Sequence, residues 1–159
     1  MSTQQARLDY TQQSPQLFKK YLDFSMAIKL DETLALLVDI RASQLNGCAF
    51  CLDMHVKQAR MNGERELRLH HVAIWPESQL FTPRERAALA WTEALTRIAP
   101  LGVSDALHAE AREQFSEEEL STLTWRVAAI NGWNRMNVAF RNQPGSKDKM
   151  YGLDKAGLA

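Results

Sequence analysis

At 159 residues, with 45% hydrophobic and 24% charged side chains, the chain has the size and composition of one globular domain that buries its own core without metal or disulfide staples. Acidic and basic side chains balance at 19 each and the Lys and Arg residues are scattered, so nothing offers nucleic acid an electrostatic footprint. No apolar run approaches the roughly 20 residues of a membrane-spanning helix, and the opening MSTQQARLDY lacks the basic-then-apolar pattern of a secretory leader, which points to a cytoplasmic protein without a membrane partner.

The punctuation along the chain is that of helices joined by short loops, with no stretch of sustained period-two alternation. Ser14-Pro15 opens the first helix with a hydroxyl cap and a proline where its missing N–H does no harm. Leu17, Phe18, Tyr21, Leu22 and Ile28 then fall on one stripe. Asp31 caps a second helix through Leu34, Leu37, Val38 and Leu45, interrupted at Asn46-Gly47. A third starts there, carries Cys48 to Arg60 and stops at Gly63. Glu64 to Trp75 forms a fourth, ended by Pro76. Thr82-Pro83-Arg84-Glu85 combines a capping box with proline at the first helical position, ahead of Ala88, Leu89, Trp91, Ala94, Leu95 and Ile98. Ser104 caps a short sixth helix, and Ser116-Glu117-Glu118-Glu119 opens a long seventh through Leu120, Leu123, Val127, Ile130 and Val138 towards Arg141. From Asn142 the chain is polar and without period. The expectation is therefore an all-α, single-domain bundle of about seven helices over residues 1–141, followed at 142–159 by a disordered tail or an arm laid on a neighbouring subunit.

One segment carries chemistry. The chain has two cysteines, Cys48 and Cys51, and their pairing would close almost no loop, so a bond between them serves reaction rather than architecture. In the first turn of a helix, Cys48 meets N–H groups and a dipole that bring a thiol pKa down from ~8.5 towards or below neutrality. Cys51, three residues on, shares its face, at a spacing compatible with a disulfide. His55 lies four residues beyond Cys51, where an imidazole takes a thiol proton near neutral pH. This array suits attack of a thiolate on a hydroperoxide, condensation of the sulfenic acid with the second thiol, and reduction of the disulfide by an outside dithiol. Proximity to His55 favours Cys51 as the attacking thiol; the helix terminus favours Cys48.

The run Ser43-Gln-Leu-Asn-Gly-Cys-Ala-Phe-Cys-Leu-Asp-Met-His55 resembles the core motif of the AhpD-like alkylhydroperoxidases, within the carboxymuconolactone decarboxylase superfamily. Trp75-Pro-Glu-Ser78, Arg84 to Ala94 and Asn131-Gly-Trp-Asn-Arg-Met-Asn-Val-Ala-Phe-Arg141 look like the family's next loop, next helix and closing helix. The resemblance covers roughly residues 8 to 141. It implies an all-helical fold, a homo-oligomer (trimer or hexamer), and catalytic Cys48, Cys51 and His55 acting on a peroxide substrate, reduced by a thiol partner that is a small dithiol or a redox protein. Decarboxylases of the superfamily lack the cysteine pair, so Cys48 and Cys51 favour the peroxidase branch. Two positions depart from the pattern. The family often has a relay glutamate twelve residues before the first cysteine, where this chain has Leu36, and its best-studied branch has histidine where Phe50 stands. Leu36 moves no proton, so either turnover is slow or another acid such as Asp39 or Glu77 takes the role.

Plainer readings exist for each feature. Cysteine is also a core filler. Cys48, Cys51 and His55, with His70 or His71, would make four zinc ligands, but zinc pairs usually come with a second cysteine pair, and the chain has none. Adjacent His70 and His71 point about 100° apart on a helix and cannot share one site. Trp75, Trp91, Trp125 and Trp133 fit the core and subunit contacts as readily as a substrate cavity. The function expected is thus a thiol-dependent peroxidase with neither metal nor cofactor; the alternative is a redox-sensing or disulfide-relay module acting on a protein partner.

Overall fold

The structure, a computed structural model, describes residues 5–158. The first four residues of the expected 1–141 domain, which open the MSTQQARLDY stretch, and the last residue of the expected tail lie outside the described residues. Among the described residues the chain is all helical: α1 (Tyr10–Gln13), α2 (Pro15–Ala27), α3 (Glu32–Leu45), α4 (Ala49–Met61), α5 (Glu66–His71), α6 (Pro83–Thr96), α7 (Asp105–Gln114), α8 (Glu117–Phe140) and α9 (Asp148–Tyr151), with 3₁₀ segments at Val72–Glu77 and Leu153–Ala156. None of these helices is long and apolar enough to cross a membrane.

Helix α3 is the hub, packed against α4, α6 and α8. Its residues 34–40 are buried without interruption, apolar but for Asp39, as a helix packed on several sides requires. Leu34 and Val38 join Trp91, Phe115, Leu123 and Val127 in one core cluster. Leu36, Leu37 and Ile40 face Ala59, Val72, Phe81 and Leu89 in another. Two apolar faces on one helix therefore tie the two halves of the bundle together.

The helix starts obey their caps. The Asp31 side chain accepts from the Leu34 N–H, Ser104 does so from Leu107, and Thr82 and Ser116 form complete capping boxes. Ser14 does not cap α2. Its hydroxyl donates to the Tyr10 carbonyl at 3.1 Å, beside its own backbone N–H at 3.0 Å, so Ser14 closes the one-turn α1 instead. The expected fourth helix is shorter than its pattern: α5 stops at His71, and the chain continues through Pro76 as a 3₁₀ segment with non-helical dihedrals at Ile74. The two helices beyond the expected seven, α1 and α9, are single turns, too short to leave a periodic trace.

The C-terminal stretch corrects the reading made of it. Expected as a disordered tail or an arm on a neighbour, residues 142–158 instead fold onto α4 of their own chain. Leu153 and Ala156 are buried, the Gly145 N–H donates to Asp53 Oδ2 at 3.0 Å, and the Lys57 ammonium bridges Asp53 at 2.8 Å and Asp148 at 2.7 Å. Two apolar anchors and one shared cation hold the segment, and neither device produces a periodic pattern. The end of α8 at Phe140 is thus not the edge of the fold.

Candidate active site

Helix α3 ends at Leu45 with Asn46 as its C-cap, Gly47 takes a left-handed φ of 64°, and α4 begins at Ala49. Cys48 is therefore the N-cap of α4 rather than part of its first turn. Its sulfur accepts the Cys51 backbone N–H at 3.2 Å, the bond a serine or aspartate would accept in an ordinary cap. The preceding loop is pinned by an asparagine ladder on α8: Asn46 donates to Asn131 at 3.0 Å and to Asn134 at 2.8 Å, and Asn134 donates to the Ser43 hydroxyl at 3.1 Å. These side chains fix where α4 starts, and so where both sulfurs sit.

Cys48 and Cys51 are joined as a disulfide with their Cα atoms 5.3 Å apart, the span such a bond requires. Both are buried, at 2% and 1% exposure. They differ in what they face. Cys51 lines a cavity of about 260 Å³ whose wall also carries His55, Asp39, Arg126 and Asn137, with Phe18, Leu22, Phe50, Met54, Trp133 and Tyr151 making it largely apolar. Cys48 lies behind it, at the helix terminus.

His55 Nδ1 is 2.8 Å from Gln58 Oε1 and 3.5 Å from Asp39 Oδ2. Both neighbours are acceptors, so Nδ1 carries the proton and Nε2 keeps the basic lone pair. Burial pushes the imidazole pKa below its ordinary 6.5; Asp39 and the Gln58 bond oppose that shift, and the Arg126 charge adds to it. Asp39 is 1% exposed and held in a two-pronged pair by Arg126, whose Nε donates to Oδ1 at 2.9 Å and whose Nη2 donates to Oδ2. By neutralising Asp39, Arg126 lets the carboxylate orient the imidazole without forcing a proton onto it. The result is a neutral base.

Leu36, at the position of the family glutamate, sits in the apolar cluster with Ala59 and does not line the cavity. The acid that does is Asp39, one helical turn further along α3. Glu77 is exposed on the 3₁₀ segment and away from the cavity. His70 is exposed and His71 bonds the Ser78 hydroxyl at 3.0 Å, so the four-ligand zinc set weighed from sequence is not brought together. Of the tryptophans, Trp133 lines the cavity, Trp91 is in the core, Trp75 donates to Glu93 at 2.7 Å, and Trp125 is exposed.

Comparison with known proteins gives this geometry a family. Residues 15–94 match the carboxymuconolactone decarboxylase family. The chain belongs to that family. Within the proteins it resembles, the uncharacterized protein YdfG of Bacillus subtilis (strain 168) is 38% identical over 144 residues, covering 89% of this chain and 98% of its own. A crystal structure from Agrobacterium tumefaciens, of a protein of unknown function put forward as the antioxidant defence protein AhpD, has a TM-score of 0.85 at 39% identity, covering 88% of this chain and 98% of that one. The apo debrominase Bmp8 has a TM-score of 0.76 at 21% identity, covering 92% and 80%; at that identity the likeness is one of fold. The all-helical fold is AhpD-like.

Sequence reasoning passed over Arg126, Asn137 and Gln58. Arg126 left a signal. It falls three residues after Leu123 and four before Ile130, in register with the buried stripe of α8. A cation in that register needs a buried counter-charge, and Asp39, set between Val38 and Ile40, is one.

Proposed function

We propose that this protein is a thiol-dependent peroxidase, reducing hydrogen peroxide or small organic hydroperoxides with Cys51 as the attacking thiol, Cys48 as the resolving thiol and His55 as the base. One observation carries the reading: of the bonded sulfurs, it is Cys51 that lines the cavity it shares with a neutral, acid-oriented histidine. In the reduced protein His55 takes the Cys51 proton. The thiolate attacks the terminal oxygen of the hydroperoxide, the O–O bond breaks, and the departing alkoxide takes the proton from the imidazolium to leave as alcohol. Cys51 is then a sulfenic acid. The Cys48 thiol attacks its sulfur, the S–S bond forms, and the hydroxyl leaves as water with the Cys48 proton. One hydroperoxide and two thiols thus yield an alcohol, a water and a disulfide. An external dithiol (a small dithiol or a redox protein) completes the cycle by attacking Cys51, the sulfur that lines the cavity. Cys48 departs as a thiolate that accepts the Cys51 N–H at the helix terminus, a bond that stabilises the leaving anion.

A cavity of about 260 Å³ with a largely apolar wall matches a small hydroperoxide in size and character, which is why the redox-sensing or relay alternative ranks second. Self-association belongs to the same proposal. Helix α2 buries no residue and presents Leu17, Phe24 and Met26 beside exposed Trp125, an apolar face that a second copy would cover; trimer or hexamer rests on the family resemblance. The cytoplasmic placement, with no nucleic-acid or membrane partner, rests on the sequence.

The test is consumption of hydrogen peroxide and of tert-butyl hydroperoxide with dithiothreitol as reductant. Cys51→Ser abolishes it, Cys48→Ser slows it by removing the resolving thiol, and Cys48→Ser treated with peroxide in the absence of dithiothreitol accumulates a Cys51 sulfenic acid that dimedone traps. Wild-type turnover in either variant overturns the proposal. Reduction of a protein disulfide without peroxide consumption supports the relay instead.

A further inference from the structure

We propose that Asn137 is a catalytic hydrogen-bond donor to the Cys51 sulfur, aimed there by residues from both ends of the chain. This rests on the reading of Cys51 as the reacting thiol. Asn137 is buried on α8 and lines the same cavity, with its Nδ2 3.6 Å from the Cys51 sulfur, a separation that sulfur's larger radius makes a hydrogen-bonding one.

What singles out this amide is that its orientation is determined. Nδ2 has two hydrogens. One goes to the Trp133 carbonyl at 2.9 Å, which leaves the other for sulfur. Oδ1 accepts from the Tyr10 hydroxyl at 3.3 Å and from Asn142 Nδ2 at 2.6 Å. Exchanging oxygen and nitrogen would set donor against donor at Asn142 and acceptor against acceptor at Trp133. The N–H therefore faces the sulfur for a reason independent of the sulfur. Tyr10 opens α1 and Asn142 opens the C-terminal segment, so the two pieces of chain least legible in the sequence close on one amide.

A fixed N–H favours the charged form of the group it faces. It holds Cys51 as a thiolate before attack, and the same donor then faces the sulfenate oxygen-bearing sulfur while Cys48 approaches. His55 moves the proton; Asn137 stabilises what is left behind.

The experiment measures the pH dependence of iodoacetamide alkylation of Cys51 in the Cys48→Ser background, where one thiol reacts, alongside thermal unfolding. In Asn137→Leu the Cys51 pKa rises by about one unit, roughly a tenfold loss of thiolate at a given pH below it. In Asn142→Ala, a partly exposed site, the amide loses one of its two orienting donors and the pKa rises by a smaller amount. A merely structural asparagine would lower the unfolding temperature and leave the alkylation profile in place, and that result in folded Asn137→Leu overturns the proposal. If Asn137→Leu does not fold, an unchanged profile in Asn142→Ala overturns it. Neither readout uses peroxide, so failure here is distinguishable from failure of the peroxidase reading.

Discussion

Replacing Arg126 with methionine tests the electrostatics of the site directly. The guanidinium is 23% exposed on its side chain, and it is the two-pronged partner of a carboxylate that is 1% exposed. Removing one member of a buried ion pair costs about 3–5 kcal/mol, chiefly because the other charge stays buried and unpaired. Solvent reaches the Arg126 end, so the lower figure applies, about 3 kcal/mol. In a chain of this size that corresponds to a fall of roughly 6–12 °C in unfolding temperature. The same substitution moves His55. Burial lowers the imidazole's affinity for a proton most, Asp39 raises it, and Arg126 lowers it further; with the arginine gone, one of the two lowering influences vanishes while that of Asp39 stays, so the His55 pKa rises from its depressed position. Thermal unfolding at pH 8, above the titration, reads the first effect, and an NMR titration of the His55 ring reads the second. Asp39→Asn combined with Arg126→Met removes both charges and recovers most of the lost stability. An unchanged unfolding temperature in Arg126→Met, or a His55 titration that moves to lower pH, refutes the reasoning.

The wild-type protein carries a pH signature of its own. Because the folded-state pKa of His55 lies below the unfolded value of about 6.5, the unfolded chain binds the extra proton first as pH falls; the stability that neutral His55 contributes is full above about 6.5 and is lost on acidification through its lowered pKa. His55→Gln flattens that part of a denaturant-midpoint profile, and an identical slope in both proteins counts against the buried neutral histidine. Gly132 tests the fit of α2 on α8. A Cβ there would stand 2.0 Å from the Tyr21 hydroxyl oxygen and 2.8 Å from Tyr21 Cζ, so Gly132→Ala, worth about 1 kcal/mol of gain in an open helix, instead destabilises by about 1–3 kcal/mol. In a Tyr21→Leu background the sign reverses, as chemical denaturation of the four variants shows.

Much of the fold was legible because the signals that specify it are local. Asp31, Thr82, Ser104 and Ser116 start helices where the sequence places them, since a cap bonds backbone within three residues of itself. The grouping of Cys48, Cys51 and His55 was legible for the same reason: they lie at the N-cap and in the first two turns of one helix. Local signals also misled. Ser14 has the look of a cap, but α1 occupies its hydroxyl. The polar stretch after Asn142 reads as unstructured because its anchors, Leu153, Ala156 and the Lys57–Asp148 pair, have no period.

Local sequence determined the α-helical class, the helix starts at Glu32, Pro83, Asp105 and Glu117, and a thiol pair in register with an imidazole, because those depend on contacts between near neighbours. Only the packed structure decided which sulfur meets the cavity, which acid stands beside His55, and what aims Asn137. Asp39 meets Arg126 across 87 positions and Asn137 meets Cys51 across 86. Bonds of that reach are set by how α3, α4 and α8 pack on one another, a three-dimensional result that no periodicity along a single helix encodes.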